Sequence, residues 1–168
     1  MFSGVGSDLT RFTFPVTVNE PLSVLQKGCE QMYYSNLLDQ ADEETDYETR
    51  MLYIAAFIIS QYSLTELRTK KPFNPLLGET FEYIDSEREF EYLSEQVSHH
   101  PPISAVHCRS NHYELLDNSK SRTSFTGNSI KIVPEGRGKI VLEKFKDEYR
   151  YSKCTLCMNN LLIGKVSI

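Results

Sequence analysis

The chain has 168 residues, of which 40% are hydrophobic and 24% are charged, and its formal net charge is -5. These values are typical of one ordinary globular domain and exclude a disordered or fibrous protein. The negative net charge excludes a broad cationic surface for nucleic acid, so any site for an anion has to be local.

The first 20 residues contain Gly4, Gly6 and Pro15 and show no sustained helical period. We expect a mobile or strapping segment, in which "SDLTRF" could form a short amphipathic turn. The basic stretch and apolar core of a signal peptide are missing. The longest apolar run, "MLYIAAFII" at residues 51–59, has about half of the ~20 residues that a membrane-spanning helix needs. These features predict a cytoplasmic protein.

Two helices are predicted within residues 21–66. In "EPLSVLQKGCEQMYYSNLLDQAD", apolar side chains recur at every third or fourth position from Leu22 to Leu37, which is typical of a helix with one buried stripe. The acidic link "ADEETDYE" leads to a second helix, roughly from Tyr47 to Leu64. Its segment at residues 51–59 is apolar on nearly every side, so we expect this helix to lie in the interior.

Residues 67–168 read as about nine short strands. The segments alternate, are rich in aromatic and β-branched residues, and are separated by turn residues, among them an Asn-Ser pair between "HYELLD" and "RTSFTG". Helices followed by an antiparallel meander indicate an α+β protein whose sheet curls into a barrel or sandwich. The last strand candidate, "LLIGKVSI", has no closing element after it, so we expect part of the domain to be missing.

The four cysteines are too few for a disulfide framework and fit a reducing compartment. Cys154 and Cys157 form a C-x-x-C pair, but no second pair or nearby histidine completes a zinc set. We therefore interpret them as small buried residues of a strand.

A proline-rich segment, "RTKKPFNPLLGETFE", joins the helices to the first strand. Two X-Pro steps favour an extended path, and Gly78 permits a turn before the sheet. The sequence predicts that Lys70, Lys71 and Asn74 are displayed on a stiff loop. A solvated basic loop without a ligand explains the same segment.

The segment "EQVSHHPPIS" places two histidines directly before two prolines. Pro101 and Pro102 favour an extended backbone, so the strand would project His99 and His100. An imidazole donates one N–H when neutral and two when charged. Together with Lys71, the pair would make a small cluster of donors for an anion.

Three other uses of the histidines are open. A metal site could recruit His107 and His112, but no carboxylate completes a recognisable set. A hydrolase could use Ser98, yet "VSHHP" lacks the glycines of a nucleophile elbow. The imidazoles could also be a structural pair bonded to backbone. We assign no catalytic residue, metal or cofactor.

Several segments resemble the oxysterol-binding protein family. "EQVSHHPP" is identical to the signature of that family. "KKPFNPLLGETFE" resembles the family's other characteristic segment, and the two segments follow each other in the expected order. "FPVTVNEPLSVLQ" and "YSNLLDQA" look like the entry into the family's first core helix. The likeness runs from about residue 8 to the C-terminus.

The resemblance implies a cytosolic lipid exchanger, not an enzyme, in which an incomplete β-barrel surrounds a tunnel under an N-terminal lid. Relatives hold a sterol or phosphatidylserine, and alternatively phosphatidylinositol 4-phosphate (PI4P), and carry them between membranes through transient peripheral contact. By position, residues 1–20, with Leu9 and Phe12, match the lid. The choice between sterol and phosphatidylserine stays open.

The same resemblance assigns the residues of the site. His99, His100, Lys71 and Asn74 correspond to residues that grip the phosphate of the phosphoinositide. Gln61 and Tyr62 resemble a pair that lines the sterol end of the tunnel, with buried packing or a helix cap as the alternative. Family domains are longer, so residues 1–168 match a partial domain, and a truncated interaction remnant is the rival interpretation.

Overall fold

The computed structural model describes residues 16–63, 70–125 and 128–160. Of the lid predicted at residues 1–20, residues 1–15 with Leu9 and Phe12 lie outside the described residues, as does the last strand candidate at residues 161–168. Residues 16–20 of that segment form a 3-10 turn at Val16–Val18 and begin the strand β1 (Asn19–Ser23). Within the described part, one short strand precedes the helices, and a mostly antiparallel sheet follows them. This order confirms the predicted α+β class.

The first predicted helix is divided into three pieces. They are α1 (Val24–Cys29), a 3-10 turn at Glu30–Tyr34 and α2 (Asn36–Glu43). Met32 and Leu38 are both buried, although a six-residue step on a continuous α-helix would place them roughly 120° apart. The change of winding therefore lets both side chains reach the core, which the simple helical period did not predict.

The second helix, α3 (Tyr47–Ser60), begins after Asp46, whose carboxylate accepts a hydrogen bond from the Thr49 N–H at 2.8 Å. Ile54 and Phe57 are buried. The expectation of burial on nearly every side is wrong for this helix, because three of its large apolar side chains are exposed: Met51, Leu52 and Ile59. In the described part of the chain, no helix combines the length and apolar character that crossing a bilayer requires.

A short parallel pair and one eight-stranded sheet contain the strands. The pair joins β1 (Asn19–Ser23) to β2 (Lys71–Phe73). The large sheet consists of β3 (Thr80–Asp85), β4 (Phe90–His99), β5 (Pro102–Ser110), β6 (Tyr113–Phe125), β7 (Ile130–Pro134), β8 (Arg137–Leu142), β9 (Glu148–Ser152) and β10 (Leu156–Met158). Its order is β10-β7-β6-β5-β4-β3, and β8 joins β6 to β9. Among the described residues, β3 and β9 each pair on one side, so the sheet is open.

The long strand β6 replaces the two strands predicted around the Asn-Ser pair. Asn118 and Ser119 stay in register with Ala105 and Ser104 of β5, so the chain does not turn there. On its other side, β6 changes partner from β8 to β7. The Asn118 Oδ1 accepts a hydrogen bond from the Arg137 N–H at 3.2 Å. The side chain thus bonds the first residue of β8 close to the point where β6 changes partner.

The helices cover one face of the sheet. Along β4, Phe90, Tyr92, Ser94 and Gln96 are buried, while the side chains between them are exposed. The inward positions are thus apolar at the start of the strand and polar towards its end. That gradient leads from the hydrophobic core to the segment that carries the histidines.

The C-x-x-C cysteines are exposed, so the prediction that they are buried in a strand is wrong. Cys154 precedes β10, and Cys157 lies on that strand, which pairs with β7. Cys108 is the buried cysteine of the group, and Cys29 is half-buried.

Candidate functional site

The proline-rich loop is fastened to the end of β4. Gly78 has a φ of 77°, a left-handed conformation that favours glycine. Its N–H donates to the Gln96 carbonyl at 2.9 Å, and the Gln96 N–H donates to the Glu79 carbonyl at 3.0 Å. These two backbone bonds fasten the turn that follows Asn74 beside the strand that carries the histidines. Lys71 lies on the short strand β2 and not on the predicted loop.

A chain of side-chain hydrogen bonds runs from this loop into the interior. The Gln96 Nε2 donates to the Asn74 Oδ1 at 3.5 Å, and the Gln96 Oε1 accepts from the Ser104 hydroxyl at 2.6 Å. Asn74 is exposed, whereas Gln96 and Ser104 are buried. Gln96 therefore connects the surface of the loop to the inner face of the sheet.

A β-bulge determines which face His99 occupies. Gln96 pairs with Ser104, Ser98 with Ile103 and His99 with Pro102, so one extra residue is accommodated between Gln96 and Ser98. Residues in strands alternate between faces, and a three-residue step would normally turn His99 away from Gln96. The bulge cancels that change, as bulges near functional sites often re-aim a side chain. The register places His99 on the inner face.

The two histidine rings contact each other edge to face, with their centroids 4.7 Å apart. The His99 Nδ1 is buried and has no hydrogen-bond partner among the described residues, while His100 is exposed. A buried ring nitrogen without a partner is costly, so it indicates a group that a ligand or water satisfies. This nitrogen therefore lacks the backbone hydrogen bond that a purely structural histidine pair would have.

Lys71 is exposed, and its ammonium lies 3.5 Å from the Pro72 carbonyl. The structure thus attaches the turn that follows Asn74 to β4 three residues before His99. That the four predicted residues bind one phosphate together stays a prediction. The Ser98 hydroxyl donates to the Pro101 carbonyl at 2.7 Å, so it supports the backbone of the histidine segment.

A partly open cavity of about 260 Å³ lies between the helices and the inner face of the sheet. Gln61 and Tyr62, the predicted tunnel pair, are both on its wall. The wall also includes inner strand positions and residues of α1. The lining residues are Val24, Leu25, Lys27, Gly28, Glu30, Gln31, Ser60, Gln61, Tyr62, Tyr92, Ser94, Ser104, Val106, Asp117, Ser119, Lys153 and Leu156.

The cavity has polar groups on an otherwise largely apolar wall. Both amide atoms of Gln61 are buried without a hydrogen-bond partner among the described residues. The Tyr62 hydroxyl accepts a hydrogen bond from the Cys154 N–H at 2.6 Å, and burial raises the pKa of Tyr62, so its proton stays available for donation. Gln61 is therefore poised to hydrogen-bond a hydroxyl or carbonyl of a ligand.

An ion pair between Lys153 and Asp117 also faces the cavity. Sequence reasoning missed this pair, because 36 positions separate its members and no local pattern connects them. It also missed Gln96 and Ser104. For Gln96 a signal existed, since the inward positions of β4 change from aromatic to polar as the strand approaches the histidines.

The other histidines have acidic partners away from the histidine segment. The His107 Nε2 lies 2.9 Å from Glu114, and the His112 Nδ1 lies 3.1 Å from the buried Asp42. Within residues 16–63, 70–125 and 128–160, no three His, Cys, Asp or Glu side chains are grouped so that they could hold a metal ion.

Comparison with known proteins agrees with this architecture. The profile of the family described as "Oxysterol-binding protein" matches residues 1–168. The chain is 46% identical over 164 residues to human oxysterol-binding protein-related protein 7, covering 97% of this chain and 20% of that protein. It is 44% identical over 170 residues to oxysterol-binding protein homolog 2 of Saccharomyces cerevisiae, covering 99% of this chain and 13% of the relative. The chain belongs to the oxysterol-binding protein family, and it spans about a fifth or less of the length of these relatives.

Solved structures share the fold. The Osh1 ORD domain in complex with ergosterol superposes with a TM-score of 0.91 at 40% identity, covering 98% of this chain and 40% of that one. The Osh3 ORD of Saccharomyces cerevisiae in complex with PI(4)P superposes with a TM-score of 0.87 at 33% identity, covering 95% and 43%. One of these similar domains was thus solved with a sterol and the other with a phosphoinositide.

Proposed function

We propose that this chain forms part of a domain that binds a sterol and PI4P in alternation and transfers them between membranes. The single observation that carries the proposal is the connected path from Asn74 through Gln96 and Ser104 to the cavity wall. It links a loop suited to a phosphate with a cavity suited to an apolar ligand. Domains similar to this one were solved with ergosterol and with PI(4)P.

At the surface end, Lys71, Asn74, His99 and His100 are the proposed ligands of the phosphate. A phosphomonoester carries nearly two negative charges at neutral pH and accepts charge-assisted hydrogen bonds from ammonium and imidazole groups. The unpaired His99 Nδ1 and the exposed His100 ring supply such groups. The chain has a net charge of -5 and therefore no broad positive field. Lys71 supplies a local positive charge for the phosphate.

At the interior end, the cavity of about 260 Å³ is the proposed site for one end of an apolar ligand. Its volume is just below the range of roughly 300 to 1,000 Å³ of small-molecule pockets. Each buried methylene of a ligand contributes about 0.8 kcal/mol. Gln61 would bond the hydroxyl of a sterol. Phosphatidylserine is the alternative ligand, and the shape of the cavity would decide between it and a sterol.

The experiment is extraction of PI4P from vesicles by the full natural polypeptide, comparing the wild type with His99→Ala/His100→Ala. We expect the double variant to lose most of the extraction, because it removes two donors from the phosphate. His107→Ala is the matched control, since His107 lies on β5 and pairs with Glu114 outside the proposed site. Equal extraction by the wild type and the double variant would reject the site.

A binding or regulatory role without transfer is the second candidate. The observation that favours it is the open sheet of the described residues, which leaves the cavity partly open. Native mass spectrometry of the 168-residue chain with lipid present shows first whether the chain binds lipid. A bound sterol or phosphoinositide excludes a remnant that binds no lipid, and transfer assays between donor and acceptor vesicles then test exchange.

A further inference from the structure

The turn that follows the proline-rich loop ends in two exposed leucines, which we call the leucine tip: Leu76 and Leu77. They are 72% and 66% exposed. Nearby along the chain and across the backbone bonds to β4, Phe73 and Val97 are exposed as well. A tip of this kind has an energetic cost in water, so its position next to the predicted phosphate ligands calls for a physical explanation.

Hydrogen bonds hold the leucine tip in place. The Glu79 N–H donates to the Leu76 carbonyl at 3.0 Å, which closes the turn, and the Leu76 N–H donates to the Glu79 carboxylate at 2.9 Å. The bonds between Gly78 and Gln96 and between Gln96 and Glu79 then fasten the turn to β4. The leucines are therefore presented on a stiff support, so inserting them into another phase loses little conformational entropy.

The charges near the tip along the chain and on the neighbouring strand end are mixed. Lys70 and Lys71 precede the tip and are exposed, and His100 is exposed on the neighbouring strand end. On the acidic side, the Glu79 carboxylate is engaged by the Leu76 N–H, and Glu95 is exposed on β4. An apolar tip that two lysines precede in the chain matches the interface of an anionic bilayer, where leucines enter the acyl boundary and lysines meet the headgroups.

We propose that the leucine tip inserts into the interface of an anionic lipid bilayer and so brings the phosphate ligands to the membrane surface. A lipid surface fits better than a protein, because two leucines are far too small for the roughly 800 Å² per partner of a stable protein interface. A bilayer needs only such a local insertion together with cations. The inference rests on the proposed function, which supplies the reason for docking here.

The first test is flotation of the full natural polypeptide with phosphatidylcholine vesicles, with and without phosphatidylserine. Leu76→Ser/Leu77→Ser should lower the bound fraction on the order of tenfold or more. Ile84→Ser is the matched control, because Ile84 is 69% exposed but lies on β3, outside the tip. Binding of a short-chain soluble PI4P analogue should be unchanged in all three proteins.

That last measurement separates the two ideas. If the wild type fails to bind the soluble analogue, the proposed function is wrong. The flotation result tests membrane docking by the leucine tip independently of that function. If the double serine variant floats as well as the wild type, the docking proposal is wrong. It is also wrong if the variant loses the soluble analogue, because the leucines then act through the phosphate site or the fold.

A second test uses the absence of tryptophan from the 168 residues. Leu77→Trp places an indole on the tip and Ile84→Trp places one on β3, and the fluorescence of each is read as the difference from the parent polypeptide. Brominated lipids should quench the indole at position 77 and leave the one at position 84 bright. Equal quenching would overturn the proposal. An indole at position 77 that is already blue-shifted without vesicles would overturn it too, since protein would then cover the tip.

Discussion

Gln96 joins Asn74 to Ser104, because its Nε2 donates to the Asn74 Oδ1 at 3.5 Å while its Oε1 accepts from the buried Ser104 hydroxyl at 2.6 Å. Asn74 is 22 positions from Gln96, and Ser104 faces Gln96 across the β4–β5 hairpin. The side chain thus determines how the loop of one motif meets the strand of the other. The Nε2 and Oε1 atoms of Gln96 bond different partners, so substitutions at this residue can test the two bonds.

We expect Gln96→Ala to lower the free energy of unfolding by about 1–3 kcal/mol, because it leaves the Ser104 hydroxyl buried without its acceptor. Gln96→Glu keeps the acceptor for Ser104 but adds a negative charge beside the proposed phosphate site. It should therefore weaken binding of soluble PI4P more than tenfold, and it should also lower the free energy of unfolding by about 3 kcal/mol, because Gln96 is 1% exposed and a buried carboxylate without a cation is costly. Urea unfolding and titration of the analogue measure the two effects. A Gln96→Glu variant with unchanged affinity would place the phosphate elsewhere.

The ion pair between Lys153 and Asp117 is expected to stabilise the fold mainly by compensating a buried carboxylate. The Asp117 side chain is 3% exposed. Lys153→Met removes the cation and should lower the free energy of unfolding by about 3 kcal/mol. Asp117→Asn/Lys153→Met should recover more than half of that loss, since no charge is then left unpaired. Urea unfolding of both variants decides, and an equally unstable double variant would contradict this account.

The cysteines should differ sharply in reactivity towards iodoacetamide. Burial raises the pKa of Cys108 to about 12, and burial followed by the charges of Asp85 and Glu30 raises the pKa of Cys29 to about 12. The thiolate is the nucleophile, so both should react slowly at pH 8.

Cys154 and Cys157 are exposed and should be alkylated first. Mass spectrometry of timed digests assigns each cysteine, and unfolding in urea should make all four react alike. Rapid labelling of Cys108 in the folded protein would show that the core opens.

The close packing of Tyr151 against Gly138 makes a further prediction about stability. A Cβ added at Gly138 would lie 2.1 Å from the Tyr151 Cζ, so the ring would have to move. Gly138→Ala should lower the free energy of unfolding by about 1–3 kcal/mol.

Gly78→Ala is the control, because Gly78 has a positive φ but no atom within 4 Å of the added Cβ. It should cost only about 1 kcal/mol of backbone strain. Thermal unfolding compares the two variants, and a smaller loss at Gly138 would contradict the packing.

The elements that the sequence predicted are those with local causes. The alternation of β4, the X-Pro steps around Lys71 and the capped start of α3 at Asp46 each depend on neighbouring residues. These patterns, together with the "EQVSHHPP" signature, were sufficient for the α+β class, the family and the candidate phosphate ligands. The sequence also suggested Gln61 and Tyr62, which the structure places on the cavity wall.

The tertiary structure decided what depends on contacts between distant segments. The bulge before Ser98 puts His99 on the inner face, and its register is set by pairing with β5. The division of the first helix follows from the need to bury both Met32 and Leu38. The Lys153–Asp117 pair joins β6 to the segment that follows β9, and these meet only in the folded protein. Strand register and buried pairing are collective results of packing, because each residue's energy there depends on partners far away in the chain.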